Sequence, residues 1–236
     1  MKRSHLAVLA TALLVAPAAA HAVTLYSNDF ESGSTAGFTI SNPTDTGILT
    51  APGNGEKFLG QMTLGDTASL AVGTAGQTSV TLNFDLYTLN SLDGSTGAGP
   101  DYFDLNENGT NVLLHDTFGN AFAQTYGCNN GGGTCAGGTG SDPALTGVLG
   151  YEYYGPSHVY HMSYTVAVSG PTTVFNFIGN SNQGIGDEGF GIDNVVVTGA
   201  ATSGTPEPAS WALMLMGFGG LGAMMRSRRK SALIAA

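Results

Sequence analysis

The chain has 236 residues, 42% of them hydrophobic and only 10% charged, and its seventeen acids against seven bases leave a formal net charge of −10. An acidic surface repels phosphate, which excludes nucleic acid and anionic lipid as partners and favours divalent cations or neutral ligands such as glycans. No repeat period is present, so a solenoid is excluded as well.

The first segment, Met1 to Ala22, has the three regions of a secretory signal peptide. Lys2 and Arg3 are its positive end, Leu6 to Ala20 its apolar stretch (interrupted by Pro17), and Ala20-His21-Ala22 its A-x-A cleavage site. The mature chain is expected to begin near Val23. From there to Ala200 the length suits one hydrophobic core. Lys57 is the only base in this stretch, against sixteen acids.

The stretch reads as all-β. Short alternating apolar runs are separated by Gly, Asn, Asp, Ser and Pro, the residues that make tight turns. The clearest runs are 79–87, 159–168, 172–178 and 190–198. Asn108-Gly109 is a hairpin turn between Tyr102–Asn106 and Thr110–His115. The same segment opens like an EF-hand loop at Asp104, but its twelfth position is His115 instead of Glu. Regularly spaced short strands predict a two-sheet sandwich or jelly roll. Cys128 and Cys135, the only cysteines, form an even pair in an exported chain and are expected to be disulfide-bonded.

Motifs for catalysis are absent: there is no G-x-S-x-G elbow and no H-E-x-x-H helix. His158 and His161, three apart on a strand, point to opposite faces and do not share a metal. His115 and Asp116 would need a serine that only the fold could bring to them. Tyr151, Tyr153, Tyr154 and Tyr160 read as strand core and rim, with sugar stacking as the alternative. Gly184 to Gly189 and Gly217 to Gly222 both spell G-x-G-x-x-G, but neither lies between a strand and a helix as a dinucleotide site requires.

Residues 201–205 form a small-residue linker, and residues 206–230 have three parts in order. Pro206-Glu207-Pro208 comes first, then an uncharged run from Ala209 to Met225 that includes Trp211, and then the bases Arg226, Arg228, Arg229 and Lys230. Six residues, 231–236, follow. The run is at the short end of the roughly 17–25 residues of a spanning helix. The prolines set its start, Trp211 suits the headgroup level, and the bases belong on the cytoplasmic side. An ordinary membrane anchor or a buried helix is the alternative.

This tail, PEPASWALMLMGFGGLGAMMRSRRK, resembles the PEP-CTERM sorting signal of bacteria, also catalogued as the ice-binding protein C-terminal domain. The resemblance implies a transmembrane sorting helix that holds an exported protein at the inner membrane until an exosortase cuts near Pro206-Glu207-Pro208. The product is then a cell-surface or extracellular protein, and the domain before the tail is cargo. Ice binding is not implied, since the domain has no regular threonine array.

A second resemblance covers the cargo. The wording DFE, LYTLNSLDGSTGAGPDYFDL and GDEGFGIDNVVVT is similar to the extracellular sandwich domain of PEP-CTERM proteins, and Leu92 stands where that family shows Trp. The two ends also resemble jelly-roll carbohydrate-binding modules, in which the first and last strands are neighbours and a structural calcium ion sits where their carboxylates meet. By that resemblance Glu31 and Asp193 are the candidate ligands, with Asp29 a weaker one. Asp187 and Glu188 would complete the same site or form another with the Asp93 loop. The plainer alternative has Asp193 and Asn194 capping backbone groups while the other acids face solvent. Together these readings predict a non-catalytic protein associated with exopolysaccharide in biofilm or floc and steadied by calcium. A purely structural surface protein and a polysaccharide-active enzyme are the alternatives.

Overall fold

The computed structural model describes residues 22–42, 44–96, 98–128, 132–201, 213–224 and 226. The signal peptide up to His21, the 202–205 linker, Pro206, Glu207, Pro208, Trp211, Arg228, Arg229 and Lys230 lie outside the described residues. Residues Ala22–Ala201 form one contiguous unit.

Eleven strands follow in order: β1 Ala22–Asn28, β2 Phe38–Ile40, β3 Gly47–Thr50, β4 Lys57–Met62, β5 Asp66–Gly73, β6 Gln77–Asn90, β7 Tyr102–Glu107, β8 Asn111–Thr117, β9 His158–Ala167, β10 Thr172–Asn180 and β11 Glu188–Ala201. They form two antiparallel sheets. One runs β3-β4-β11-β6-β9, with β1 also on β11; the other runs β2-β5-β10-β7-β8. The expected sandwich is therefore observed.

Strand β6 shows why the sequence folds this way. Its alternation buries Val80, Leu82, Phe84 and Leu86 between the sheets. Opposite them lie Leu70 of β5, Phe103 and Leu105 of β7, and Phe175 and Phe177 of β10. Phe84 meets Phe177 edge-to-face at 5.1 Å between ring centres. Beyond Leu86 the alternation stops, because the outer face is covered too: Tyr87 and Leu89 pack with Phe58, Leu149 and Val159 in a second, smaller cluster. The β7–β8 turn is the one read from sequence, with Asn108 and Gly109 at φ of 52° and 73°, the left-handed pair that a tight hairpin requires.

The long β8–β9 connection is held by two devices. Gln124 is fully buried; its amide donates to the carbonyls of Tyr126 (2.8 Å) and Thr139 (2.9 Å) and accepts from Gly138 N–H and Tyr160 Oη, each at 3.1 Å. The second is the expected Cys128–Cys135 disulfide. Closing so short a loop limits its freedom in the unfolded chain, which is worth about 2–3 kcal/mol. The double change Cys128→Ser/Cys135→Ser is expected to cost that much in urea unfolding. An unchanged midpoint would mean that Gln124 alone orders the connection.

The C-terminal expectation is corrected. Among the described residues no helix is long and apolar enough to cross a membrane. Residues 213–224 are helical, but at 1.5 Å per residue they span only about 18 Å, against roughly 30 Å of hydrocarbon. Four glycines (Gly217, Gly219, Gly220 and Gly222) fall within this stretch and lower its helix propensity. The transmembrane sorting helix and the stage anchored in the inner membrane are both withdrawn on this finding.

Candidate functional site

Strand β11 organises the acidic residues. Its whole length pairs with β6, while its other edge is shared: Phe190–Ile192 pair with β4 and Val195–Ala200 with β1. The first and last strands are thus neighbours, as the carbohydrate-binding resemblance implied. At the changeover β11 slips register after Asp193, and Asn194 takes a φ of 50°.

Asp193 sits buried on the outer face there. Its Oδ2 accepts from the Tyr87 hydroxyl at 2.8 Å and its Oδ1 from Asn194 N–H at 2.7 Å. Burial pushes its pKa up from 3.8 to about 6; the Tyr87 and Asn194 bonds oppose this, and the charges of Glu56 and Asp85 add to it. Beside it, a cleft of about 300 Å³ is lined by Asn54, Glu56, Asp85, Tyr87, Val159 and Asn194, among others. His161 Nδ1 bonds Asp85 at 2.5 Å, which raises the imidazole pKa.

Glu31 and Asp29 are exposed. The Glu31 Oε1 accepts from Lys57 N–H at 2.7 Å, and Lys57 Nζ donates to the Glu31 carbonyl. Asp29 Oδ1 accepts from Glu31 N–H. Asp29, Glu31 and Asp193 do not converge in a group of three ligands among the described residues.

One such group does occur at the opposite end of β11. Asp93, Asp101 and Glu188 each present a carboxylate oxygen within 4.8 Å of the others. Asp93 follows β6, Asp101 precedes β7, and Glu188 opens β11, where it lies opposite Asn90. Asp187, next to it, accepts from Ser91 Oγ at 2.9 Å and is not one of the three. Of the two places the sequence offered for Glu188, the Asp93 loop is the one where its carboxylate meets others, with Asp101 in the group and Asp187 outside it. Burial, then Asp101, pushes the Glu188 pKa up to about 8, and burial also raises Asp101.

In front of this cluster lies a cleft of about 470 Å³, lined by Ser91, Asp93, Phe122, Tyr153, Tyr154, Gln183 and Asp187. Tyr153 and Tyr154 are 65% and 60% exposed and meet at right angles, 5.2 Å between ring centres. The tyrosine stretch therefore divides: Tyr160 is core, Tyr151 packs on the outer cluster, and only Tyr153 and Tyr154 face solvent. Leu92 is fully buried in the main core. His158 is buried, with its pKa lowered by burial, while His161 is on the outer face. His115 stacks on Tyr102 and pairs with Asp104, not with a serine.

No curated protein sequence matches the chain. Among solved structures it is similar to the CBM22-1 xylan-binding domain of Xyn10C from Paenibacillus barcinonensis, at 12% identity over 78% of this chain and 99% of that one, with a TM-score of 0.41. It is also similar to a family 35 carbohydrate-binding module from Clostridium thermocellum, at 11% identity over 75% and 98%, with a TM-score of 0.36. Both likenesses are too distant to bear on ligand or activity. Residues 205–230 match the family model of the PEP-CTERM protein-sorting motif, and the chain therefore carries that sorting motif after its β-sandwich domain.

Proposed function

We propose that this is an exported, exosortase-processed protein of the cell surface or extracellular matrix, non-catalytic, whose sandwich domain associates with exopolysaccharide. The sorting motif supports the processing partner. The observation that carries the glycan role is the Tyr153–Tyr154 cleft. Two large apolar rings are left in solvent at a cost that folding alone does not require, and aromatic faces of this kind stack on the apolar faces of sugars. Ser91, Gln183 and Asp187 stand beside them to bond hydroxyls, and the acidic domain turns away competing phosphate polymers. A hydrolase reading of the same acids is disfavoured. Glu188 is the carboxyl that holds a proton near neutrality, but its side chain is fully buried and cannot reach a glycosidic oxygen.

The test is retention of the exported protein on exopolysaccharide purified from its own source strain. Tyr153→Ala/Tyr154→Ala is expected to weaken retention at least about tenfold, or 1.4 kcal/mol, with an unchanged melting temperature. Equal retention of parent and variant would remove the cleft from the proposal, and no retention of either would leave a purely structural surface protein.

A further inference from the structure

We propose that Asp93, Asp101 and Glu188 form a binding site for one divalent cation of the calcium class, which ties the loop after β6 to the starts of β7 and β11. The site is independent of the glycan reading, although it backs the same cleft.

Hydrogen bonding shows what the cluster lacks. Asp101 accepts at both oxygens, from Asp93 N–H at 2.5 Å and Asn182 N–H at 3.3 Å. Asp93 Oδ2 accepts from Ala98 N–H at 3.2 Å, and Glu188 Oε2 from Gln183 N–H at 3.1 Å. Glu188 Oε1 is completely buried and receives no donor from the rest of the protein; only a proton shared with the neighbouring Asp101 carboxyl would bond it. A buried acceptor left unmatched costs about 1–3 kcal/mol, more if charged. No lysine, arginine or histidine forms an ion pair with any of the three among the described residues. Carboxylates so close, two of them fully buried, cannot all be ionised unless a cation lies between them; without one, a proton must be retained, and the protein side chains supply no cation.

The donor set selects the ion. All three ligands are hard oxygens, with no imidazole or thiolate, which disfavours zinc and copper. Ligands from three separate chain segments suit the adaptable 6–8 coordination of calcium better than the strict octahedron of magnesium. Asp93 is only half-buried and lines the open cleft, so water can complete the shell from that side. The backbone donors already on Asp93, Asp101 and Glu188 fix the carboxylates in place as outer partners do in metal sites.

The experiment uses the exported protein, stripped with chelator and titrated with calcium chloride alone, without glycan. Bound calcium is read by calorimetry and by elemental analysis after gel filtration. One ion per chain is expected, with a melting temperature about 5–10 °C higher at a hundredfold excess over Kd. Asp93→Asn is expected to lower calcium affinity at least about tenfold while leaving the melting temperature in chelator nearly unchanged, because Asp93 is not a core residue. Glu188→Gln should abolish binding, and Glu31→Gln should leave it intact. The proposal is overturned if the parent binds no calcium up to about 10 mM, above the 10⁻⁴–10⁻³ M range of extracellular sites. A shared proton between Asp101 and Glu188 would then hold the cluster. It is equally overturned if Glu31→Gln removes binding and Asp93→Asn does not, which would put the ion at the β1–β11 junction.

Discussion

Asp193→Asn is expected to make the protein more stable at neutral pH, by on the order of 2–3 kcal/mol, and to make no such difference at pH 4. The carboxyl is 2% exposed on the outer face of β11, and burial raises its pKa from 3.8 to about 6. The folded protein therefore holds this proton more tightly than the unfolded chain does. That contribution is complete below pH 3.8 and is lost as pH rises through about 6. At about 1.4 kcal/mol per tenfold change in affinity, the full loss is on the order of 3 kcal/mol. Asparagine keeps its oxygen for Asn194 N–H, its NH2 can donate to the Tyr87 hydroxyl oxygen instead of accepting from it, and it has no proton to lose. Urea unfolding of both proteins across pH 4–8 in chelator measures this directly. The gap between them should open between pH 4 and 6 and stay constant above. A gap that does not change with pH would mean that the carboxyl is hydrated and the β4-to-β1 changeover is open to water.

Phe177→Ala is expected to cost about 3–5 kcal/mol, the range for removing a fully buried aromatic ring. Phe177 of β10 is 0% exposed, and its ring meets Phe84 of the facing sheet at 5.1 Å and Phe38 of β2 at 6.0 Å. Its loss opens the space between the two sheets and removes one of the rings that Phe38 of β2 packs against. For a domain of this size the melting temperature should fall by about 10 °C or more. Val112→Ala, on the exposed face of β8 (61%), should stay within about 0.5 kcal/mol. Similar costs for the two substitutions would contradict the packing of one sheet on the other.

Several features were legible in the sequence because they depend on neighbours along the chain. The alternation of β6, β9, β10 and β11 follows from a period of two on a sheet with one buried face. The Asn108-Gly109 turn follows from the φ values that only a few residues accept. The Cys128–Cys135 bridge is closed within its own loop, and Pro206-Glu207-Pro208 with the bases after it is a linear signal that requires no fold to be read. The spanning helix expected after it is not found among the described residues: absence of charge shows that a segment is apolar and does not fix the length of a helix.

What only the tertiary structure decided depends on residues far apart in sequence. Glu31 and Asp193 looked like partners because β1 and β11 are neighbours, yet each turns to a donor on another strand, the Lys57 backbone and the Tyr87 hydroxyl. Tyr153 and Tyr154 could not be separated from Tyr160 by type or spacing; the difference is that β9 carries Tyr160 between the sheets, while the segment before it lies outside. Asp93, Asp101 and Glu188 were each visible as acids, but the loop after β6, the start of β7 and the start of β11 meet only when both sheets have formed. A sequence records which groups are charged. How close they lie, and whether water reaches them, is set by long-range strand pairing, and those two quantities fix the electrostatics of this site.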